Sequence, residues 1–170
     1  MTDYKQVIIG TGSYDTVKSG NTVSITGDGG NAWNYYGPAY KKLAPRLVTY
    51  REYANNLKTL ENIKENITSK EYQELKRQNE LKYIESYYET RLKALDVYYL
   101  LETLQEKFGL NIILLCHEPP MEFCHRRVVA DYIHLKTGIY IPEIEVSKEN
   151  NITLVEPISY ESELKRIMKL

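Results

Sequence analysis

Residues 111–132, NIILLCHEPPMEFCHRRVVADY, join an apolar run to an amphipathic segment, and this junction decides the fold. The run LNIILLC (110–116) is largely apolar on both faces, which is typical of a central strand in a parallel sheet. The segment HRRVVADYIHLKTG (125–138) predicts a helix that ends at Gly138. We therefore expect a buried strand that is followed, after a short connection, by a helix.

Other segments continue this alternation of strands and helices. Strands are predicted for YKQVIIG (4–10), NTVSITG (21–27), IYIPEIEV (139–146) and ITLVEPI (152–158), and a closing helix for SYESELKRIMKL (159–170). The glycine-rich stretch GDGGNAWNYYGP (27–38) predicts a loop. Strands that alternate with helices indicate a three-layer α/β fold, in which a mainly parallel sheet is flanked by helices.

The middle of the chain predicts further helices. Thr68 and Glu71 form a capping-box pattern that opens one helix. A later helix ends at Gly109 and carries its apolar residues on one face, namely Val97, Leu101, Leu104 and Phe108. The stretch from about residue 55 to 90 is rich in Lys, Glu and Asn. We predict that it forms a solvated helical excursion within a single domain of residues 1–170.

Composition and charge narrow the classes of function. The 170 residues are 42% hydrophobic and carry a formal net charge of −1, which is typical of a globular domain. A general nucleic-acid binder needs more positive charge, so a nucleic-acid partner is left uncertain. The start, MTDYKQVIIG, contains no long apolar segment, so we expect neither a signal peptide nor a membrane span. Two cysteines without secretory context indicate reduced thiols and a cytoplasmic protein, and no cofactor is predicted.

The exit of the predicted strand carries the first candidate site residues. Residues two apart share a face of a strand, so Cys116 and Glu118 point one way and His117 points the other. The two prolines that follow keep the backbone of Glu118 extended and hold it at the rim of the sheet. Ligands of open α/β sheets bind beyond this end of the strands, which favours a functional role for Glu118.

The start of the following helix carries the second group, Cys124, His125 and Arg126. Free backbone amides and the positive end of the helix dipole meet there, and Arg126 adds a fixed charge. An anion such as a phosphate fits this environment, and the same field should lower the pKa of the Cys124 thiol. We expect Glu118 and Arg126 to face one hollow that water can reach.

Two segments near the N-terminus add candidate ligand contacts. The segment GTGSYD (10–15) begins like a dinucleotide-binding fingerprint, but Asp15 stands where the third glycine is required, so the match is weak. Gly10 and Gly12 could still let the backbone approach a ligand. The chain has 16 Tyr against 2 Phe, and packing at wet edges is the favoured explanation. A stacking surface for a base is the alternative, formed by Tyr35, Tyr36 and Tyr40.

Several known chemistries do not fit the spacing. A cysteine phosphatase needs a short amide cradle between its Cys and Arg, whereas nine residues, two of them prolines, separate Cys116 from Arg126. A zinc deaminase needs a second Cys-x-x-Cys arm, which is absent. A zinc site formed by Cys116, His117, Cys124 and His125 stays open. The opposite direction of His117 and the adjacency of Cys124 and His125 argue against it, so no metal ligand is predicted.

The motif resembles that of a known family. An apolar strand with LLCHE, a short loop and then FCHRRVVADYI resembles the signature of the domain of unknown function 488 family, which Cys116, Glu118, Cys124, His125 and Arg126 match. Upstream, GTGSY and YKKLAP resemble two further motifs of the family, with Ser13, Tyr40, Leu43 and Pro45 as counterparts. The resemblance covers about residues 5–50 and 85–147. It implies the same α/β fold and names no reaction.

These observations favour an enzyme that acts on a phosphate-bearing nucleotide or nucleic-acid base, by glycosidic-bond hydrolysis or group transfer. Glu118 would be the nucleophile or general base, His125 a proton donor, and Cys124 a third catalytic residue. The predicted ligand-binding residues are Arg126, Gly12, Ser13, Cys116, Tyr36 and Tyr40. Two alternatives are a binding module without chemistry, which could dock on a protein through the helical excursion, and a thiol or metal site that uses both cysteines.

Overall fold

The centre of the fold is a five-stranded sheet in a computed structural model that describes residues 3–32 and 35–170. The strands of the chain are β1 (Ile8–Ser13), β2 (Asn21–Ser24), β3 (Asn31–Ala32), β4 (Tyr35–Tyr36), β5 (Ile112–Cys116), β6 (Glu143–Val146) and β7 (Ile152–Val155). The order across the sheet is β2-β5-β1-β6-β7, of which only β7 is antiparallel to its neighbour. β3 and β4 form a separate antiparallel pair.

Five α-helices accompany the sheet in the described chain. They are α1 (Leu47–Ile63), α2 (Ser69–Tyr87), α3 (Val97–Phe108), α4 (His125–Thr137) and α5 (Glu161–Met168), and a π-helical turn (Tyr88–Leu92) follows α2. A mainly parallel sheet flanked by helices confirms the predicted fold class and is consistent with a three-layer α/β fold. None of these helices combines the length and the apolar composition that crossing a membrane requires.

The ends of the helices follow the sequence signals closely. Thr68 accepts a hydrogen bond from the amide of Glu71, and the Glu71 carboxylate accepts one from the amide of Thr68, so the predicted capping box is present. Gly109 ends α3 with φ of 85°, and Gly138 ends α4 with φ of 78°. Both glycines occupy backbone conformations that other residues adopt only with strain.

Some predicted boundaries differ from those of the structure. The first strand begins at Ile8 rather than at residue 4, because Tyr4–Gln6 form a 3₁₀ turn that Asp3 caps. The glycine-rich stretch 27–38 contains β3 and β4, and its residues 33 and 34 lie outside the described residues. The polar stretch 55–90 falls on α1 and α2. The end of α2 enters the main core, where Tyr87 is fully buried.

β5 is buried on both faces, which explains its unbroken apolar sequence. On one face, Ile112, Leu114 and Cys116 join the main core with buried side chains of α2, α3, α4 and α5. On the other face, Ile113 and Leu115 join a smaller core that also contains residues of β6 and of the loop after β1. The side chain of Cys116 therefore points towards the helices, at the end of the strand where α4 begins.

Gly12 lets the backbone of β1 pack tightly against its neighbours. A Cβ atom at this position would lie 2.4 Å from Val17 Cγ2 and 2.9 Å from the carbonyl oxygen of Ile144. Gly10 is similar, since its Cβ would lie 2.5 Å from Ile144 Cδ1. Gly12 is predicted to let the backbone approach a ligand. On the side where its Cβ would lie, the space is instead filled by Val17 and Ile144.

We expect Gly12→Ala to destabilise the protein by about 1 to 3 kcal/mol, because the backbone carbonyl of Ile144 cannot move aside cheaply. The free energy of unfolding, measured by urea denaturation, checks this. Gly27→Ala is the matched control, since a Cβ there meets no heavy atom within 4 Å. Equal stability of the two variants would contradict the packing role of Gly12.

A buried ion pair ties the first turn of α4 to β6. Arg126 is 0% exposed, and its Nη2 donates a hydrogen bond of 2.7 Å to Oε2 of Glu143, while its Nε bonds the same carboxylate at 3.1 and 3.2 Å. Thr11 Oγ1 donates to Glu143 at 2.6 Å and accepts from Arg127 Nη1 at 2.8 Å. Arg127 also donates to the carbonyl of Ile141. This polar network joins α4, β1 and the segment that leads into β6.

Glu143→Gln should destabilise the fold by about 3 to 5 kcal/mol, because it leaves the guanidinium of Arg126 buried without a balancing charge. Glu145→Gln on the same strand changes a partly exposed carboxylate and should alter the free energy of unfolding by less than about 0.5 kcal/mol. Thermal and urea unfolding of the two variants measure the difference. A small effect of Glu143→Gln would show that the ion pair does not hold α4 in place.

Candidate functional site

A cavity of about 510 Å³ opens where β5 ends and α4 begins. Its floor contains Glu118, Cys124 and His125, and its mouth contains Asp28 and His117. It lies beyond the carboxyl ends of β2 and β5, which is where open parallel sheets bind their ligands. The connection of β5 to α4 therefore forms a concave site, as the sequence predicts for this junction.

The walls of the cavity are aromatic and come largely from α1 and α2. α1 provides Tyr50 and Tyr53, α2 provides Tyr83, and the connection before α4 provides Phe123. The ring centroids of Tyr53 and Tyr83 each lie about 5 Å from that of Phe123, at 5.3 and 4.9 Å. Packed rings of this kind form a stiff apolar wall.

Glu118 lines the floor with an oxygen that has no partner. Its Oε2 is buried and makes no hydrogen bond within the described chain. Burial raises the pKa of this carboxyl to about 9, the negative charge of Cys124 adds to the increase, and the charge of Arg126 opposes it. A carboxyl in such an environment exchanges its proton at a higher pH than an exposed glutamate does.

Cys124 and His125 face Cys116 from the start of α4. Cys124 is the N-cap residue, with an extended backbone (φ −153°, ψ 140°), and its side chain makes no capping hydrogen bond to the helix amides. Nδ1 of His125 lies 3.7 Å from Cys116 Sγ and 4.0 Å from Cys124 Sγ. The three side chains are buried, with all candidate ligand atoms within 4.8 Å of one another, and they could hold a metal ion.

The two thiols differ in their electrostatics. Burial would raise the pKa of Cys124, but the hydrogen bond from Cys116 and the charges of Arg126 and His125 outweigh it and lower that pKa well below the usual value. Burial and the adjacent Cys124 sulfur raise the pKa of Cys116 well above its usual value. The direction for Cys124 agrees with the sequence prediction, although the neighbouring side chains rather than the helix amides cause it.

Arg126 does not reach the cavity. Its side chain is fully buried behind Cys124 and binds Glu143, while its Nη1 is buried without a hydrogen-bond partner in the described chain. The predicted convergence of Glu118 and Arg126 on one hollow is therefore absent, because Glu143 takes up the guanidinium. No lysine or arginine is among the described residues that line this cavity.

The other predicted ligand contacts also lie elsewhere. Ser13 is buried, and its Oγ lies 2.9 Å from Thr16 Oγ1. Tyr40 packs in the main core, and Tyr36 is 88% exposed without lining the cavity. Tyr35 is buried and stacks on Tyr14, with ring centroids 4.9 Å apart. The aromatic side chains that face the site instead come largely from α1 and α2. Tyr50 and Tyr53 precede the predicted solvated excursion at 55–90, and Tyr83 lies within it.

His117 leaves the strand in the direction opposite to Cys116, as predicted. Its ring packs edge-on against Tyr14, a residue of the smaller core. Its Nε2 lies 3.0 Å from Asp28 Oδ2 at the mouth of the cavity. His117 is thus separate from the group formed by Cys116, Cys124 and His125.

Comparisons of the chain with protein-family models, with curated proteins and with solved structures find no match. The resemblance of the Cys116–Arg126 motif to the domain of unknown function 488 family stays a prediction from the sequence. The case for a functional site consequently depends on the geometry of the cavity and on the side chains at its floor.

Proposed function

We propose that the protein is an enzyme that acts on a small molecule with a planar ring, such as the base of a nucleoside or nucleotide. The reaction is hydrolysis of a glycosidic bond or transfer of the group that this bond holds. The observation that carries the proposal is the buried, unpartnered oxygen of Glu118 at the floor of an aromatic-walled cavity. A polar group in this position costs free energy unless a ligand engages it.

The size and the walls of the cavity support a planar ligand. A volume of about 510 Å³ is within the range of small-molecule sites, roughly 300 to 1,000 Å³. Tyr53, Tyr83 and Phe123 are already packed against one another, so they offer ring faces without a large loss of side-chain entropy. Tyr50 is 50% exposed at the same wall and can close over a bound ring.

The absence of lysine and arginine from the described lining of the cavity supports a neutral ring inside it, with any phosphate outside. A neighbouring groove of about 910 Å³ shares Tyr50, Tyr53, Glu118 and Phe123 with the cavity. This groove contains three cations, Lys58, Lys76 and Arg77, together with the carboxylates Glu61, Glu80 and Glu122. Its mixed charge can accept a phosphate tail, but the cavity sets the class of substrate.

Cleavage of the glycosidic bond requires a side chain that donates a proton to the leaving base and later takes up another proton. Glu118 donates its proton to the leaving ring nitrogen while the bond from nitrogen to the sugar carbon breaks. The resulting carboxylate takes a proton from the water or hydroxyl group that forms the new bond to that carbon. The products are the free base and the hydrolysed or transferred sugar, and Glu118 returns to its starting state.

Glu118→Gln should lower turnover by at least about 100-fold while the affinity for the ring-bearing ligand changes little, because glutamine keeps the shape but cannot exchange the proton. Release of base from a panel of nucleosides and nucleotides, followed by chromatography, measures turnover. Titration calorimetry with the active compound measures binding.

Glu149→Gln is the control, since this exposed carboxylate lines neither the cavity nor the neighbouring groove. It should keep normal turnover. Turnover retained by Glu118→Gln would overturn the proposed role of Glu118. Tight binding by the wild-type protein without product on long incubation would show a binding module instead of an enzyme.

A further inference from the structure

We infer that Cys116, Cys124 and His125 bind a zinc ion at the floor of the cavity. The sequence analysis predicts no metal ligand but leaves open a thiol or metal site that uses both cysteines, and the relative positions of these three side chains favour that alternative. The inference does not rest on the proposed reaction, since a bound metal would be present whether or not Glu118 takes part in turnover.

The distances between the candidate ligand atoms fit a tetrahedral ion. With Zn–S bonds of about 2.3 Å and Zn–N bonds of about 2.0 Å, neighbouring ligand atoms lie roughly 3.5 to 3.8 Å apart. His125 Nδ1 lies 3.7 Å from Cys116 Sγ and 4.0 Å from Cys124 Sγ. All three ligand atoms lie within 4.8 Å of one another, so only small side-chain movements would complete the site.

The orientation of the His125 ring supports Nδ1 as the ligand atom. Its Nε2 lies 2.7 Å from the carbonyl oxygen of Ile25, which can only accept a hydrogen bond. Nε2 therefore carries hydrogen, which leaves Nδ1 as the nitrogen with a free lone pair in a neutral imidazole. Cys116 Sγ lies 3.6 Å from Nε2 and 3.7 Å from Nδ1, so the ring must turn slightly to bring Nδ1 and both sulfur atoms around one ion. Histidines that bind metals typically donate their other ring N–H to a carbonyl or carboxylate in this manner.

The two objections from the sequence do not hold for this group. His117 points away, but the site does not need it, because Cys116 and Cys124 supply two thiolates. Adjacent residues such as Cys124 and His125 can bind one ion because the chain changes conformation between them. Cys124 is extended and His125 begins the helix, which brings both side chains to the same side.

The donor type favours zinc over magnesium and calcium, and the charge of the site suits a divalent ion. Two thiolates balance the two positive charges of the ion, and the nearby guanidinium of Arg126 is already balanced by Glu143. Sulfur and imidazole donors are those that zinc prefers, whereas magnesium and calcium prefer oxygen. The three ligands leave a fourth position, and the cavity that Cys124, His125 and Glu118 line lies next to it. Water or a substrate atom can fill this position.

Metal analysis of the reduced wild-type protein tests the inference directly. Protein purified without chelators should contain about one zinc ion per chain by mass spectrometry, should lose it to a strong chelator and should recover it on titration with zinc. Cobalt should replace zinc and give the charge-transfer absorption of thiolate ligands with the intense visible bands of tetrahedral coordination. This spectrum needs no variant, so it stays informative if a variant fails to fold.

Variants identify the ligands. Cys124→Ser should lower zinc affinity by at least roughly 100-fold. Mutating a residue that only hydrogen-bonds to a ligand already lowers metal affinity about 10- to 100-fold, and loss of a direct ligand should lower it further. Serine is a favourable N-cap residue, so α4 should still form. His125→Gln should have the same effect on affinity. His117→Gln is the matched control at the mouth of the cavity and should keep the metal.

Three results would overturn the inference: no stoichiometric uptake of zinc or cobalt by the reduced protein, unchanged affinity in Cys124→Ser, or loss of the metal in His117→Gln. Glu118→Gln separates this inference from the proposed reaction. A variant that keeps zinc but loses turnover supports both, and stoichiometric zinc with turnover retained overturns only the role of Glu118.

Discussion

The ion pair of Arg126 with Glu143 fixes the start of α4 against β6, and the arrangement of the site depends on it. Both side chains are about 1% exposed, so neither charge can turn to water if the pair separates. A buried pair of this kind adds little net stability compared with a well-packed apolar pair, but breaking it is costly. We expect its main effect to be on the register of α4 against β6, and in the observed register Cys124 and His125 lie close to Cys116.

The use of Arg126 for this purpose determines the character of the cavity. The positive charge lies behind the thiols, where it lowers the pKa of Cys124 and cannot contact a ligand. The cavity is left with imidazole, thiol and carboxyl groups at its floor and aromatic rings at its walls. Such a site discriminates by ring shape and by a few polar contacts. It differs from a phosphate site, in which exposed guanidinium groups and amides dominate recognition.

Local signals predicted much of the fold, while contacts distant in sequence determined the site. The apolar run of β5, the capping box at Thr68 and the ends of α3 and α4 at Gly109 and Gly138 each depend on neighbouring residues, so a single sequence reveals them. The partner of Arg126 lies 17 positions away. Its one signal was a strand, β6, in which the acidic residues Glu143 and Glu145 alternate with apolar ones, and the same pattern occurs in strands with one wet face.

The aromatic walls were missed for a related reason. The stretch 55–90 is polar on average, and average polarity predicts exposure without showing which side chains point inward. Tyr83 and Tyr87 lie four residues apart on α2, the spacing of one helical face, and both are buried. The surplus of tyrosine over phenylalanine gave no indication that these two, rather than Tyr36 or Tyr40, adjoin the site.

The excursion at 55–90 therefore contributes to the site and is more than a solvated insertion. Its Tyr83 forms part of the wall together with Tyr53, which precedes the excursion on α1, and the ring of its Tyr87 lies 5.6 Å from that of His125. The hydroxyl of Tyr87 donates a hydrogen bond to the carbonyl of Leu43, which ties α2 to the segment before α1. The His125 ring is thus held between this tyrosine and the carbonyl of Ile25. Because both constraints act on one ring, the direction of Nδ1 depends on α2 as well as on the sheet.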